Sequence, residues 1–208
     1  MGKGAYGKSM RQQNMSKPSL VIASGNLGKV REFRKLLMDL PVTILSQPEG
    51  LQIEESGKTF VENARLKALA VAKATGQWAM ADDSGLSVDA LDGAPGVYSA
   101  RYANTDEERI CRLLEDLEPF ADRSAHFSSA ICVASPEEEI LLEVEGKCEG
   151  LIIEEPRGIN GFGYDPIFEV YGTGLTFAEM EIENKQMFSH RGKAFALLRP
   201  ELEKLLRA

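Results

Sequence analysis

The sequence is poor in the residues that build disulfide frameworks, zinc sites and membrane spans. Its 208 residues include three cysteines and two histidines. Because Cys111, Cys132 and Cys148 are odd in number and far apart, they predict free or buried thiols in a reducing compartment. No apolar stretch approaches the length of a membrane span, and the first residues lack the apolar region of a secretory signal. We therefore expect a cytoplasmic protein with no membrane partner.

Basic residues are scarce relative to acidic ones. The chain holds 24 Lys and Arg against 32 Asp and Glu, so the net charge is −8. Nucleic-acid-binding surfaces need a basic patch, and this balance therefore argues against a nucleic-acid partner. It does not exclude a small phosphorylated ligand, because such a ligand is bound by a few local charges.

The basic residues are also unevenly placed. Residues 1–17 contain no acid, and we interpret them as a flexible basic extension or a cloning remnant. The rest of the chain is consequently more acidic than the net charge shows. A content of 43% hydrophobic and 27% charged residues predicts a globular domain over residues 18–208. The basic residues of the first segment are Lys3, Lys8, Arg11 and Lys17.

Short apolar runs alternate with amphipathic segments in the first half of the chain, a pattern typical of strands alternating with helices. Thr105 is a plausible N-cap for the third helix, and a turn-rich stretch runs from Gly85 to Gly96. The predicted strands are 20–23, 42–45 and 78–81, and the predicted helices are 30–40, 59–75 and 106–117.

The second half changes to longer strands. Residues 125–134 and 140–148 predict an antiparallel hairpin, and Ile167-Phe168 predicts a further strand. Ser189 opens a final helix, which Pro200 is expected to interrupt. We therefore predict a two-lobed α/β fold, with a mixed central sheet flanked by helices, an antiparallel hairpin lobe and a cleft between the lobes.

A polar loop, Ser24-Gly-Asn26-Leu-Gly-Lys29, joins the first predicted strand to the first helix. Ligands bind at the carboxyl ends of strands in such sheets, and the free N–H groups of a helix N-terminus suit phosphate. Ser24, Asn26 and Lys29 are therefore candidate phosphate ligands, although the spacing is not that of a Walker A loop. An ordinary turn with a solvated lysine is the alternative interpretation.

Acidic residues follow two of the predicted strands. Asp82, Asp83 and Ser84 come directly after the third strand, and Glu55 follows the second. Mg²⁺ takes oxygen ligands and brings phosphates with it, and a carboxylate can also accept a proton from water. An exposed acidic turn is the alternative. Lys67 lies on the apolar stripe of the second helix, so it either reaches into a cleft or snorkels to solvent.

Two later motifs suggest base recognition. Glycines around Phe162 in Gly161-Phe-Gly-Tyr-Asp-Pro166 allow close backbone approach, and the ring could stack on a flat base. A tight turn with a core aromatic is the alternative. Lys185, His190 and Arg191 follow, and the last two lie in a first helical turn, where positive charge opposes the helix dipole. That conflict suggests a functional reason, such as hydrogen bonds from Arg191 to a carbonyl oxygen or a phosphate.

Taken together and in this order, six segments resemble the inosine/xanthosine triphosphate pyrophosphatase family. The resemblance covers about residues 19–206 and implies hydrolysis of noncanonical purine nucleoside triphosphates (ITP, dITP, XTP) to the monophosphate and pyrophosphate. It also implies Mg²⁺ as cofactor and a homodimer. The segments are SGNLGKVRE (24–32), GKTFVENA (57–64), ADDSGL (81–86), GAPGVYSARY (93–102), GFGYDPIF (161–168) and SHRGKA (189–194).

The resemblance also implies roles for individual residues. Asp83 would activate water, Phe162 would stack on the purine, and Arg191 or His190 would recognise its 6-oxo group. The implied catalytic residues are Asp83, Asp82 and Lys67, and the implied Mg²⁺ ligands are Glu55 and Asp83, which Asp82 would support. The implied substrate-binding residues are Ser24, Asn26, Lys29, Ser84, Phe162, Gly163, Tyr164, Asp165, Lys185, His190 and Arg191.

Two other functions stay open from the sequence. One is a related pyrophosphatase that prefers pyrimidine or methylated nucleotides. The other is a noncatalytic nucleotide-binding module, against which the acidic residues argue, because triphosphate binding gains little from carboxylates without a metal. The chain departs from the family pattern at Asp92, Asn104 and Gln186, and the last of these lies beside Lys185.

Overall fold

The computed structural model describes residues 17–207, so the predicted extension 1–17 lies almost entirely outside the described residues. No helix within the described range is long and apolar enough to span a membrane. The strands are β1 (Ser19–Ile22), β2 (Thr43–Ser46), β3 (Trp78–Val88), β4 (Ser124–Ala134), β5 (Ile140–Ile152) and β6 (Phe168–Val170). The helices are α1 (Leu27–Leu36), α2 (Phe60–Thr75), α3 (Asp106–Leu117), α4 (Ile182–Phe188) and α5 (His190–Arg207).

All six strands form one mixed sheet in the order β2-β1-β3-β4-β5-β6. β2, β1 and β3 are parallel, whereas β3, β4, β5 and β6 pair antiparallel. The predicted mixed α/β fold and the predicted hairpin, which is β4–β5, are therefore confirmed. Cys111 is exposed and Cys132 and Cys148 are buried, and all three thiols are free, as predicted.

Polar caps fix the helix starts that shape the site. The Asn26 side chain accepts the Lys29 N–H and caps α1, and the Thr59 side chain caps α2 through the Glu62 N–H. Each cap satisfies a backbone donor that would otherwise lack a partner. Gly76, with φ of 63°, ends α2 in the left-handed conformation that glycine adopts most easily.

Strand β3 lies in the middle of the sheet, and its side chains alternate between two faces. On one face Met80 packs with α1 and α5, and Leu86 packs with α3 further along the strand. Asp82 and Ser84 lie on that same face, between the two apolar clusters. The other face, which includes Ala81, packs against α2. The polar gap between the clusters places the cleft next to the middle of β3.

The prediction that the third strand ends at Ala81 was wrong. β3 continues to Val88 because it pairs with β4 throughout that length. The two aspartates therefore lie in the middle of a strand and not in a turn, and they point to opposite faces. Gly85 is needed there for packing, since a Cβ would lie 2.4 Å from the Gly96 carbonyl oxygen.

Other details of the predicted secondary structure also needed correction, among them the first helix, which is Leu27–Leu36 and not 30–40. α5 continues through Pro200, although an interior proline costs about 3 kcal/mol. Leu198 and Leu202 are buried in one cluster on either side of the proline, so packing outweighs that cost. α4 was not predicted. β5 extends beyond the predicted end at Cys148, and the strand predicted at Ile167 begins one residue later.

Gly146 on β5 lets α5 lie close to the sheet. A Cβ at this position would lie 2.3 Å from the His190 carbonyl oxygen and 2.4 Å from the Ala194 nitrogen. Both neighbours are backbone atoms of α5, so no side-chain rotation can relieve such a contact.

We predict that Gly146→Ala lowers the free energy of unfolding by about 2 kcal/mol, because the backbone of α5 must move. Denaturant unfolding measures this change. Lys147→Ala is the control: its side chain lies on the opposite face of the same strand and is 49% exposed, so we expect a change below about 0.5 kcal/mol. A Gly146→Ala protein as stable as the wild type would contradict the close approach.

Candidate active site

One cavity of about 700 Å³ brings the predicted site residues together. Its wall is built from α1, α2, β3, α3, α5 and the loop after β5. Every predicted site residue except Asp82 lines it. These residues are Ser24, Asn26, Lys29, Glu55, Lys67, Asp83, Ser84, Phe162, Gly163, Tyr164, Asp165, Lys185, His190 and Arg191.

The loop after β1 presents hydrogen-bond donors to this cavity. Ser24 Oγ accepts the Asn26 N–H at 3.1 Å, and Asn26 Oδ1 accepts the Lys29 N–H at 3.0 Å. Within residues 17–207 the Ser24 hydroxyl hydrogen and the Asn26 Nδ2 group have no protein partner. They and the first N–H groups of α1 can therefore donate to an anion.

Asp83 faces α2 and lies in a cluster with a lysine and a second carboxylate. Lys67 Nζ lies 2.8 Å from Asp83 Oδ1 and 2.8 Å from Glu55 Oε1, and Asn63 Nδ2 donates to Asp83 Oδ2 at 3.2 Å. Burial raises the pKa of Asp83, although Lys67 and Lys29 oppose the rise. A raised pKa makes this carboxylate a better proton acceptor.

The same cluster fits a magnesium ion. Burial disfavours ionisation of Glu55, but the hydrogen bond and charge of Lys67 lower its pKa, so this carboxylate stays charged. Glu55 and Asp83 thus offer hard oxygen ligands that lie close together, each 2.8 Å from Lys67 Nζ. Residues 17–207 contain no cluster of three or more potential metal ligands. Two carboxylates suffice for Mg²⁺, which usually takes its other ligands from substrate phosphates and water.

Asp82 points to the other face of β3 and is fully enclosed. Its Oδ2 lies 2.7 Å from Lys29 Nζ, 3.3 Å from Arg191 Nη2 and 3.0 Å from Ser84 Oγ, while Oδ1 accepts from Ser129 Oγ. Burial disfavours its charge, but Arg191 and Lys29 hold the pKa of Asp82 well below its usual value.

The position of Asp82 suits the supporting role that the resemblance implies better than direct contact with a ligand. Its side chain has no exposed surface and forms no part of the cavity wall, because four neighbouring side chains surround it. Its contacts with residues of the cavity wall are those with Lys29, Ser84 and Arg191.

Charged side chains continue from Asp82 as a buried network. Arg191 Nη1 donates to Glu32 Oε2, and Lys185 Nζ lies 2.7 Å from Glu32 Oε1 and 2.6 Å from Asp165 Oδ2. Each member is at most 14% exposed. In order of contact, the buried ion network consists of Lys29, Asp82, Arg191, Glu32, Lys185 and Asp165.

Two atoms beside this network are buried without a hydrogen-bond partner among the described residues. They are Arg191 Nε and His190 Nδ1, and both side chains line the cavity. The His190 ring stacks on Phe127, with ring centroids 4.7 Å apart. Burial lowers the pKa of His190 well below its usual value, so the imidazole is neutral near pH 7. Both atoms are suited to recognising a polar group of a ligand.

Phe162 lies on the cavity wall and not in the core. Lys185 Nζ lies 4.9 Å from the centroid of its ring, and a Cβ on Gly28 would lie 2.5 Å from the ring. The ring therefore rests on the first turn of α1. Tyr164 is the core aromatic of this loop, and its hydroxyl donates to the Ser99 carbonyl at 2.9 Å.

Two buried members of the site were not predicted. Glu32 lies within the first of the six segments, yet its partner Lys185 is 153 positions away, so no local pattern shows the pair. Asn63 could have been found. It precedes Lys67 by four positions on α2, so the two side chains share a face of the helix.

Comparison with known proteins finds close relatives over the whole folded region. The model of the Ham1 family matches residues 20–201. A dITP/XTP pyrophosphatase of Prochlorococcus marinus (strain MIT 9313) is 64% identical over 95% of this chain and 97% of its own. A second, from Synechococcus sp. (strain CC9311), is 63% identical over 92% of this chain and 93% of its own.

Solved structures are also similar to this chain over most of its length. A HAM1 protein from Coxiella burnetii has a TM-score of 0.82 at 46% identity and covers 90% of this chain and 99% of its own. The Ham1 protein of Staphylococcus aureus has a TM-score of 0.79 at 42% identity and covers 89% of this chain and 98% of its own. At these identities the likeness extends beyond the fold to the sequence as a whole.

The burial of His190 predicts a pH dependence of stability. Its pKa is lowered in the folded state from a usual value of 6.5. Below about pH 6.5 the unfolded chain binds a proton that the folded chain excludes. Stability is therefore complete above that pH and falls below it, by up to about 1.4 kcal/mol per pH unit.

Unfolding free energies at pH 7.5, 6.5 and 5.5 measure this slope. We expect His190→Gln to reduce it, whereas His126→Gln should retain most of it, because the side chain of His126 is 24% exposed. Equal slopes in wild type and His190→Gln would show that His190 does not cause the acid sensitivity.

Proposed function

This chain belongs to the Ham1 family, and from that premise we propose that it hydrolyses noncanonical purine nucleoside triphosphates, such as dITP, ITP and XTP, to the monophosphate and pyrophosphate. The observation that carries the proposal is the single cavity that holds anion-binding donors, a carboxylate of raised pKa and an aromatic ring on a glycine loop. Relatives sharing most of the sequence bear the matching name.

The triphosphate is bound by donors already aimed at the cavity. The Ser24 hydroxyl, the Asn26 amide and the first N–H groups of α1 bind phosphate oxygens. Lys67 and Lys29 add positive charge, each with ammonium protons beyond those used by its carboxylate partners. Phosphoryl transfer depends mainly on such positioning and electrostatic stabilisation, because the substrate carries about four negative charges.

Asp83 activates the attacking water. Its Oδ2 is oriented by the Asn63 amide and its Oδ1 by Lys67, so the carboxylate is held in one orientation while it accepts a proton. We also propose that Glu55 and Asp83 bind Mg²⁺. When bound, this ion would supply positive charge to the phosphates and lower the pKa of its water.

The base end selects the purine by hydrogen bonding. Phe162 stacks on the ring, and Arg191 Nε–H or His190 donates to the 6-oxo group of hypoxanthine or xanthine. Adenine carries an amino donor at that position, so both buried groups would stay without a partner. Unpaired buried donors discriminate strongly between substrates.

The family resemblance also suggests an oligomeric state and a cellular compartment. We propose that the protein is a homodimer and acts in the cytoplasm. Light scattering of the purified protein measures the first, and a monomeric mass at micromolar concentration would contradict it.

A substrate panel tests the proposed function. We expect pyrophosphate release from dITP, ITP and XTP with kcat/KM at least about 100-fold above that for ATP, which lacks the 6-oxo group; GTP, which carries that group, completes the panel. Removal of Mg²⁺ by EDTA should abolish turnover, and added Mg²⁺ should restore it. Equal rates on all five nucleotides would contradict selection by the base. Binding of dITP without pyrophosphate release would identify a noncatalytic module.

Two adjacent isosteric substitutions separate chemistry from positioning. We expect Asp83→Asn to lower kcat for dITP at least about 100-fold with little loss of stability, because it removes the proton acceptor. Asp82→Asn should lower the free energy of unfolding by about 3 kcal/mol, because it leaves Lys29 and Arg191 incompletely paired in a buried site. Pyrophosphate-release assays measure kcat, and denaturant unfolding measures the stability of both variants. Full activity of Asp83→Asn would exclude it as the acceptor.

A further inference from the structure

The base-side loop, residues 161–165, is held by a carboxylate that no sequence motif had singled out. Asp106 Oδ2 accepts the Gly163 N–H at 2.8 Å. Its Oδ1 accepts from Arg109 Nη1 at 2.6 Å, and Arg109 Nε donates to the Ala103 carbonyl at 3.0 Å. Both oxygens of Asp106 are therefore engaged, and Arg109 ties the carboxylate to its own helix.

The loop needs such external contacts because its backbone has little conformational restriction of its own. Gly161 and Gly163 flank Phe162 with φ values of 77° and 60°, a region that glycine enters freely and other residues rarely. Successive N–H groups of the loop are bound by two carboxylates: Asp165 Oδ2 accepts the Phe162 N–H at 2.9 Å, and Asp106 accepts the next one. Asp165 belongs to the loop itself, so Asp106 supplies the contact from a separate helix.

Helix α3 is a firm support for this contact. Leu113 and Leu117 on α3 are fully buried in the cluster that also contains Tyr164. Thr105 and Glu108 form a capping box at the helix start. Because these contacts do not involve the Asp106 side chain, α3 keeps its position when that side chain is changed.

The contact also lies at the cavity. Asp106, Arg109, Phe162 and Gly163 all line it, so a shift of Gly163 moves the ring on which the base is proposed to stack. The water-activating cluster around Asp83 is built on β3 and α2 and makes no contact with Asp106. Loss of the Asp106 contact would therefore impair base binding while leaving the chemical step unchanged.

We infer that Asp106 is a positioning residue, which fixes the Phe162–Gly163 backbone and thereby sets the affinity for the purine base and the discrimination between bases. This inference rests on the proposed function. It adds a determinant of base choice on α3, outside the motifs that line the rest of the site.

Three variants test it with dITP and dATP as substrates. Asp106→Ala removes both contacts, and we expect KM for dITP to rise about fivefold, kcat to stay within about twofold, and the preference for dITP over dATP to fall. Asp106→Asn keeps an oxygen that can accept the Gly163 N–H. Its KM for dITP and its preference for dITP over dATP should therefore stay close to those of the wild type. Glu107→Ala is the matched control, since it removes a charge from the same helical turn and should behave as wild type.

Calorimetric titration with dIMP gives the same comparison without turnover. We expect Asp106→Ala to weaken dIMP binding about fivefold, and Asp106→Asn to remain near wild type. Unchanged KM, preference and dIMP affinity in Asp106→Ala would overturn the inference, as would a fall in kcat alone that Asp106→Asn does not restore. If the wild type binds dIMP but releases no pyrophosphate from dITP, the proposed function fails separately. Absence of both dIMP binding and pyrophosphate release from dITP in the wild type would overturn both proposals.

Discussion

The buried ion network is the constraint on which the rest of the site depends. Isolated charges of this kind would be too costly to bury, and each is tolerated because charges of the opposite sign contact it. The network joins α1, β3, α4, α5 and the base-side loop. Removal of one member leaves its neighbours buried and incompletely paired. The elements around the cavity therefore hold their relative positions together, and Asp82 at the centre of β3 has contacts toward both α1 and α5.

Small side chains on the other face of β3 let α2 pack close to the sheet. α2 packs on a surface built largely from alanines, and such a surface lets a helix approach a sheet closely. This approach brings Lys67 within 2.8 Å of Asp83, so the lysine on the apolar stripe reaches the cavity and does not snorkel to solvent. A larger residue at Ala68 or Ala81 would move α2 outward and lengthen that contact.

Local patterns in the sequence predicted most elements of the fold, because the information for them is local. Thr59 and Gly76 mark both ends of α2, and two successive long strand segments mark the β4–β5 hairpin. Features that depend on distant partners were not predictable in this way. The length of β3 is set by its pairing with β4, and α5 continues through Pro200 because both halves pack on one cluster.

The same division applies to the site. Residues within short motifs, such as Asn26 and Lys29, were predicted because a strand end followed by a helix start suits phosphate. Glu32 and Asp106 were not, because their partners lie 153 and 57 positions away. The enclosed position of Asp82 was not predicted, for a related reason. Without the pairing of β3 and β4, the sequence does not show that neighbouring aspartates face different environments.

The alternation of side chains along β3 has a consequence for how such proteins diverge. The side chain of Asp83, which is proposed to activate water, points toward α2. The side chain of Asp82, which belongs to the buried ion network, points toward α1 and α5. Under the proposed mechanism, substitutions on the second side would alter which nucleotide is accepted without changing the hydrolytic groups on the first. Descendants of one ancestral enzyme could therefore acquire new nucleotide preferences while inheriting the same reaction, with a single strand separating the variable part from the constant one.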